Sequence, residues 1–198
     1  CESAGLMFIG PDPGVIAMMG DKTRARIMAK EAGIPVLPGT DGPVSDDRAI
    51  SAAWTIGFPL MVKAAAGGGG IGIHVVHSVE DLKVVMGKQR ALANTAFGSS
   101  NLYFERYLEG ASHVEVQIIG DKYGNVIHLF ARDCSAQRRN QKIIEETPAT
   151  KLSQEHQERL WAYGSRIANH IGYTNAGTVE FLTDPDGEVY FLEMNTRL

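Results

Sequence analysis

Two glutamates near the end of the sequence, Glu180 and Glu193, have the types and spacing to hold a divalent metal ion. They lie in AGTVEFLTDPDGEVYFLEMNTRL, residues 176–198. TVEFLT and EVYFLE are rich in β-branched and aromatic residues, and Asp184-Pro185-Asp186-Gly187 between them is a turn signal, so the stretch predicts a β-hairpin. If Thr183 faces Glu188, then Glu180 faces Phe191. Alternation then puts Thr178, Glu180 and Leu182 on one face with Phe191 and Glu193. The two carboxylates become diagonal neighbours, about 7–8 Å apart at the backbone and able to reach one ion. Asn195 continues that face. Two carboxylates and an amide oxygen are hard donors that suit Mg²⁺. A three-residue loop with a Gly bulge would instead shift the register by one and turn Glu193 away, leaving two solvated residues of an amphipathic hairpin.

A second constellation lies upstream. AAAGGGGIGIHVV carries five glycines between positions 67 and 72. Glycine admits positive φ and lets backbone N–H groups approach a ligand, so this loop can close over phosphates or be a plain hairpin tip. It has no Gly-Lys-Ser/Thr sequel and leads into a strand, which excludes a Walker loop and the dinucleotide fingerprint. Lys63 ends an apolar strand four residues before it, where an ammonium can meet a phosphate. Glu105-Arg106-Tyr107-Leu108 closes another strand at an expected interlobe crossing, a place where backbone groups and a carboxylate can receive an adenine edge. Without more context it is an ordinary strand end. His113 reads equally as a structural histidine. Arg132, Arg138, Arg139 and Lys142, beside Glu145 and Glu146, form a solvated loop or an anion site. Cys134 has no neighbouring base in the sequence and reads as structural.

The elements that must position these groups alternate helix and strand. A short helix starts at Asp12 or Pro13, and a second covers residues 23–32 and closes at Gly33. Residues 34–44, with Pro35, Pro38 and Pro43, form an extended connector. Ser45 or Asp46 caps a helix to Ile56, and 60–64 and 73–76 are strands around the glycine loop. Ser78 caps a helix to about Asn94, and 102–107 is a strand. From His113 a long antiparallel pair follows, HVEVQIIGD and VIHLFARDCS. QRRNQKIIEETPA is polar without a clean period, and Ser153 caps an amphipathic helix to about Ile171. The apolar run 6–9 is expected to be the last strand of a domain lying upstream. These elements predict an α+β fold in two lobes, a small α+β lid lobe and a larger antiparallel-sheet lobe, with a cleft between them. The expected segments are 1–34, the end of an upstream domain with connecting helices; 35–107, the small lobe; and 108–198, the large lobe.

The 198 residues are 44% hydrophobic and 21% charged, an ordinary globular balance. A net charge of -4 argues against a broad nucleic-acid surface, and no apolar run is long enough for a bilayer. Two cysteines make no disulfide scaffold and favour a reducing compartment, cytoplasmic or, in a eukaryote, the mitochondrial matrix. The sequence opens on Cys1 and stops inside a polar motif, so it reads as a piece of a longer polypeptide.

In this order, HVEVQIIGD, RDCSAQRRNQKIIEETPA, AGTVEFL and FLEMNTRL resemble the biotin carboxylase component of biotin-dependent carboxylases, members of the ATP-grasp superfamily. FIGPDP, MGDK and VKAAAGGGGIGI upstream match the same family, so the resemblance spans essentially the whole chain. It implies an ATP- and bicarbonate-dependent carboxylation of biotin. Bicarbonate attacks the γ-phosphate to give carboxyphosphate, which delivers CO₂ to biotin borne by a carrier domain. A carboxyltransferase component then passes the carboxyl group to an acyl-CoA, pyruvate or urea, and the parent is expected to be a homo-oligomer. The cofactors implied are ATP and Mg²⁺ or Mn²⁺.

Residue by residue, the resemblance implies that Lys22 and Lys63 contact phosphates and that Gly69 and Gly70 cap the triphosphate. Glu105, Arg106, Tyr107 and Leu108 would hold adenine, with His113 near the ribose and Gln137 and Asn140 touching the nucleotide. Glu180, Glu193 and Asn195 would hold the metal, and Lys142 and Arg197 bicarbonate. Departures are Ile71 where Arg or Lys is frequent, Ile73 for Met, Ser112 for Arg and Asn140 for His. RRNQK with EETP is a pairing found in urea carboxylases. The family's base for bicarbonate is expected beyond Leu198. The rivals are another ATP-grasp ligase, or a nucleotide-binding fragment without turnover by itself.

Overall fold

The computed structural model describes residues 1–66, 72–138 and 140–197. Short polar side chains start most of its helices: Asp12, Ser78 and Ser153 as the sequence predicts, and Asp21 where the sequence leaves a break between the first two helices. Asp12 accepts from the Gly14 N–H ahead of α1 (Pro13–Gly20), and Asp21 from the Thr23 and Arg24 N–H groups ahead of α2 (Lys22–Glu31). Ser45 precedes α3 (Asp46–Ile56) without a side-chain cap, whereas Ser78 and Ser153 cap α4 (Val79–Phe97) and α5 (Gln154–His170) through the Asp81 and His156 N–H groups. Each such bond satisfies one of the four unpaired donors of a helix's first turn.

The strands form two antiparallel sheets. The small one has the order β2-β1-β3, from β1 (Leu60–Ala64), β2 (Ile73–Val76) and β3 (Leu102–Arg106). The large one has the order β6-β5-β4-β7-β8. Its strands are β4 (Ser112–Gly120), β5 (Val126–Arg138), β6 (Gln141–Glu146), β7 (Asn175–Thr183) and β8 (Val189–Thr196). Each sheet has its own apolar core. Leu60, Val62, Leu102 and Phe104 meet Ala53, Leu82 and Val85 of α3 and α4. Val114, Val116, Phe181 and Phe191 meet Leu160 and Ile167 of α5 and Met19 and Ala29 of α1 and α2. Helix α5 buries Leu160, Gly164, Ile167 and Ala168, the spacing of one face of a 3.6-residue helix.

The connector 35–44 joins the two sheets through backbone hydrogen bonds. Phe191 of β8 donates to the Pro35 carbonyl at 2.8 Å, Arg106 of β3 donates to Pro38 at 2.7 Å, and Thr40 donates to Phe104 at 2.9 Å. It thereby ties an edge of the large sheet to an edge of the small one, and the cleft opens beside this seam. No helix among the described residues is long and apolar enough to cross a membrane.

Three expectations need correction. Residues 6–9 form no strand: they have no ladder partner among the described residues, and Leu6, Met7 and Ile9 are exposed. The run read as an aperiodic loop contains β6. Among the described residues this edge strand pairs only with β5, and it leaves both faces largely to solvent, Ile143 and Ile144 included, so it lacks the apolar alternation of a half-buried strand.

The third correction is the register of the closing hairpin. Gly187, with φ of 88°, donates to Asp184, and the Asp184 N–H bonds the Glu188 carbonyl. This is the three-residue loop with a Gly bulge, and Thr183 pairs with Val189, not with Glu188. Continued evenly, that register would oppose Leu192 to Glu180 and point Glu193 into the core. The pairing shifts again between Phe181 and Glu180, where Leu192 is the extra residue. Phe181 therefore opposes Phe191, Glu180 opposes Glu193 directly, and Thr178 opposes Asn195.

Candidate functional site

The two glutamates face a cavity of about 410 Å³ between the sheets. The small sheet lends it Met61, Lys63, Ala64 and Ile73, and α2 lends Lys22. The large sheet contributes His113, Glu180, Leu182, Leu192 and Glu193, while Gln137, Asn140, Gln141 and Lys142 come from the β5–β6 hairpin. Residues scattered over some 170 positions converge because β4, β7 and β8 are neighbours in one sheet and the start of α2 lies against β8.

Glu180 is the centre of the polar network. It is 4% exposed. Lys142 Nζ donates to its Oε1 at 2.8 Å and the Asn195 amide to the same oxygen at 2.5 Å. His113 Nε2 lies 2.7 Å from Oε2, off the line of a hydrogen bond and therefore an electrostatic contact. Gln137 orients that ring, its amide nitrogen 2.7 Å from Nδ1 and 2.9 Å from the Cys134 carbonyl. Burial alone would favour the neutral acid. The His113 ring and the Lys142 ammonium outweigh it and hold the Glu180 carboxyl down at about 2. Glu193, opposite, takes the Lys22 ammonium.

Glu115, absent from the sequence-based candidates, adds a third carboxylate. It lies two residues beyond His113 on β4, directly opposite Glu180 on β7, and is 3% exposed. Lys142 and Arg132 both bind it. The alternation in His113-Val114-Glu115-Val116-Gln117 was the signal, since it sets the three polar residues on one face. Burial disfavours the Lys142 cation, but the hydrogen bonds it donates to two carboxylates, Glu115 and Glu180, prevail and raise its pKa. Lys142 is thus a fixed positive charge at neutral pH.

Lys63 reaches the cavity from β1, paired with Glu105. Both Glu105 oxygens are taken, one by Lys63 and one by Arg26, and the side chain is 2% exposed. Burial opposes its ionisation, yet the two cations keep its pKa below the ordinary value. An adenine amine accepted by this carboxylate, as expected from sequence, would have to displace a buried ion pair. Arg106 turns to the Ile56 carbonyl, the Tyr107 N–H bonds Pro59, and neither Tyr107 nor Leu108 lines the cavity. Asn140 stands at the hairpin tip with φ of 62°, a left-handed geometry that Asn tolerates. Arg197 is exposed outside the cavity lining, its N–H 3.2 Å from the Tyr173 hydroxyl. Gly69 and Gly70, Ile71 and Arg139 lie outside the described residues. Of the basic stretch, Arg132 and Lys142 turn inward, while Arg138 is exposed.

The donor set fits a hard divalent ion. Glu180 and Glu193 oppose each other across one β-ladder, Asn195 has its amide on Glu180, and the Glu180 carboxyl stays ionised at neutral pH. Lys22, Lys63 and Lys142 around them favour a polyanion in the same cavity.

The family of the carbamoyl-phosphate synthase L chain, ATP binding domain, matches residues 21–198. Mitochondrial pyruvate carboxylase of Mus musculus is 50% identical over the whole of this chain, which covers 17% of that protein. The solved biotin carboxylase of Campylobacter jejuni in complex with beta-gamma-ATP superposes with a TM-score of 0.97 at 46% identity, over all of this chain and 45% of its own. The biotin carboxylase domain dimer of Hydrogenobacter thermophilus 2-oxoglutarate carboxylase, in complex with MgADP, ADP and bicarbonate, gives 0.96 at 47%, over all of this chain and 44% of its own. The chain thus spans less than half of each of these proteins. With its two antiparallel sheets and the cleft between them, it belongs to the carbamoyl-phosphate synthase L chain ATP-binding family, has the ATP-grasp fold and is similar throughout to the biotin carboxylase part of biotin-dependent carboxylases.

Proposed function

We propose that the intersheet cavity binds ATP with a divalent ion, and that the protein containing this chain uses ATP and bicarbonate to carboxylate biotin on a carrier domain. The observation that carries this reading is the direct opposition of Glu180 and Glu193 inside a cavity lined by Lys22, Lys63 and Lys142. Glu180, Glu193 and Asn195 would hold Mg²⁺ or Mn²⁺, which when bound supplies neutralising charge to the polyphosphate.

The chain's own groups do the positioning. Lys22 and Lys63 place two ammonium groups at the cavity for phosphate oxygens. Lys142 keeps its proton between Glu115 and Glu180, so it orients and stabilises an anion such as bicarbonate and does not act as a base. Arg197 is assigned to the same anion, and His113, Gln137 and Asn140 to the nucleotide. Residues 105–108 are assigned to adenine through their backbone, since the Glu105 side chain is engaged elsewhere. Gly69 and Gly70 are assigned to the triphosphate on the family resemblance alone.

The segments 1–34, 35–107 and 108–198 remain our division. The small core draws on Val44 to Phe104, and the large core on Val15 to Ile34 and Val114 to Met194. A carboxyltransferase component as partner and a homo-oligomeric parent are consistent with the relatives, one of them crystallised as a dimer. We place the parent in the cytoplasm or mitochondrial matrix. The test is ADP release by the intact protein that contains this chain, with and without bicarbonate and biotin. Release that depends on both supports the proposal, and ADP release indifferent to biotin would refute it.

A further inference from the structure

Arg26 is among the most buried side chains of the molecule, at 1% exposure, on a helix whose other basic residues, Lys22, Arg24 and Lys30, are all at least partly exposed. Its Nη1 binds Glu105 Oε1, its Nη2 donates to the Leu37 carbonyl at 2.8 Å, and its Nε has no hydrogen-bond partner among the described residues. The other Glu105 oxygen takes Lys63. Room for this cluster depends on Gly39, where a Cβ would come within 2.6 Å of the Phe104 carbonyl oxygen and 2.9 Å of Arg26 Nη2. Helix α2 packs on the large sheet while Glu105 and Lys63 belong to the small one, so the cluster spans the seam between the lobes.

Two cations share one anion here, almost wholly removed from water, so the cluster keeps one uncompensated positive charge. Such a surplus is costly unless a further anion offsets it. Of the three groups only Lys63 lines the cavity. We propose that Arg26 is a positioning residue for Lys63: by holding one oxygen of Glu105, it keeps that carboxylate from neutralising Lys63 fully and presents the surplus charge to an anionic phosphate in the cavity. This rests on the reading that the cavity binds a nucleotide polyphosphate. Lys22 lies one turn before Arg26, so the same helix supplies a direct phosphate cation and the support for a second.

The test uses the intact protein and two probes, ADP with Mg²⁺ and adenosine, measured by competition against a fluorescent nucleotide. In Arg26→Met, Glu105 is left to Lys63 alone. ADP affinity should fall by about tenfold, or 1.4 kcal/mol, with adenosine affinity held. Adding Glu105→Gln removes the competing charge and should restore most of the ADP affinity. A loss of general structure would weaken both probes alike and would not be rescued, and either result overturns the role of Arg26. A wild-type protein that binds no ADP would instead overturn the nucleotide reading, and this inference with it. Should the variants fail to fold, the structure of the wild-type protein with ADP decides. Lys63 touching both Glu105 and a phosphate, with Arg26 still on Glu105, is the expected result, and Lys63 parted from Glu105 overturns it.

Discussion

The closing strands are anchored by one tyrosine, and replacing one glycine should release that anchor. Tyr173 is 1% exposed and precedes β7. Its hydroxyl donates to the Ala176 carbonyl at 2.7 Å and accepts from the Arg197 N–H at 3.2 Å. Gly177 lies directly beneath the ring: an added Cβ would fall 2.7 Å from Cε1, Cζ and the hydroxyl oxygen together. Gly177→Ala must push the ring aside. Overpacking of this kind costs about 1–3 kcal/mol, and each of the two hydrogen bonds lost adds about 1 kcal/mol, so about 3–5 kcal/mol is expected. Tyr173→Phe loses the hydrogen bonds but keeps the ring, and should cost about 1–2 kcal/mol. In the double variant the hydroxyl is lost only once, so its cost should fall short of the sum by about 1–2 kcal/mol. Urea denaturation of the four proteins measures this, and amide exchange at Arg197 should accelerate in both single variants. If Gly177→Ala stays within about 0.5 kcal/mol of wild type, or the two changes simply add, the ring does not lock this end of the hairpin as argued.

Further outcomes follow from individual environments. Burial opposes ionisation of Asp133, but hydrogen bonds from Ser135 and the Lys151 ammonium lower its pKa below the ordinary 3.8. The stability advantage of wild type over Asp133→Asn should therefore be complete above pH 3.8 and shrink as pH falls below it, and a constant gap across that range would contradict the assignment. Burial and the nearby Glu115 push the Cys134 thiol up to about 12, against 9.0 ordinarily, while Cys1 is exposed. At pH 8 its thiolate fraction is roughly a thousandfold below that of an ordinary thiol, so iodoacetamide should modify Cys1 and spare Cys134 until the protein unfolds. Lys142→Gln removes the cation that bridges Glu115 and Glu180. In the intact protein it should raise the bicarbonate requirement about tenfold or more while ADP affinity changes by less than threefold, and an unaltered bicarbonate response would remove Lys142 from the anion site.

Much of this architecture was legible because its signals are local. Ser78 and Ser153 mark helix starts through bonds to N–H groups three residues away, and the strands at Leu60 and Leu102 declare themselves by apolar runs. What escaped depends on distant partners. Strand β6 was hidden because it borders solvent on both faces and is a strand only by its pairing with β5. Arg26 sits in an unremarkable helix, and only the folded chain brings Glu105 to it across 79 positions. The site lysines were readable by type and motif. That three of them rest on named carboxylates, Lys22 on Glu193, Lys63 on Glu105 and Lys142 on Glu115 and Glu180, follows from the stacking of two sheets, which no local pattern encodes.

The Leu192 bulge turns the side-chain facing of the last hairpin into a question of parity. The glycine turn contributes one odd step and Leu192 a second, and two odd steps return Glu193 to the face of Glu180. Single-residue insertions or deletions between Thr183 and Phe191 should therefore be poorly tolerated, because each exchanges Glu193 for a neighbour of opposite facing. A pair of such changes, one in the turn and one at the bulge, leaves the count even. Hairpins of this kind can thus vary in loop length among related chains and still present both carboxylates, provided each change in the turn is matched by one along the ladder.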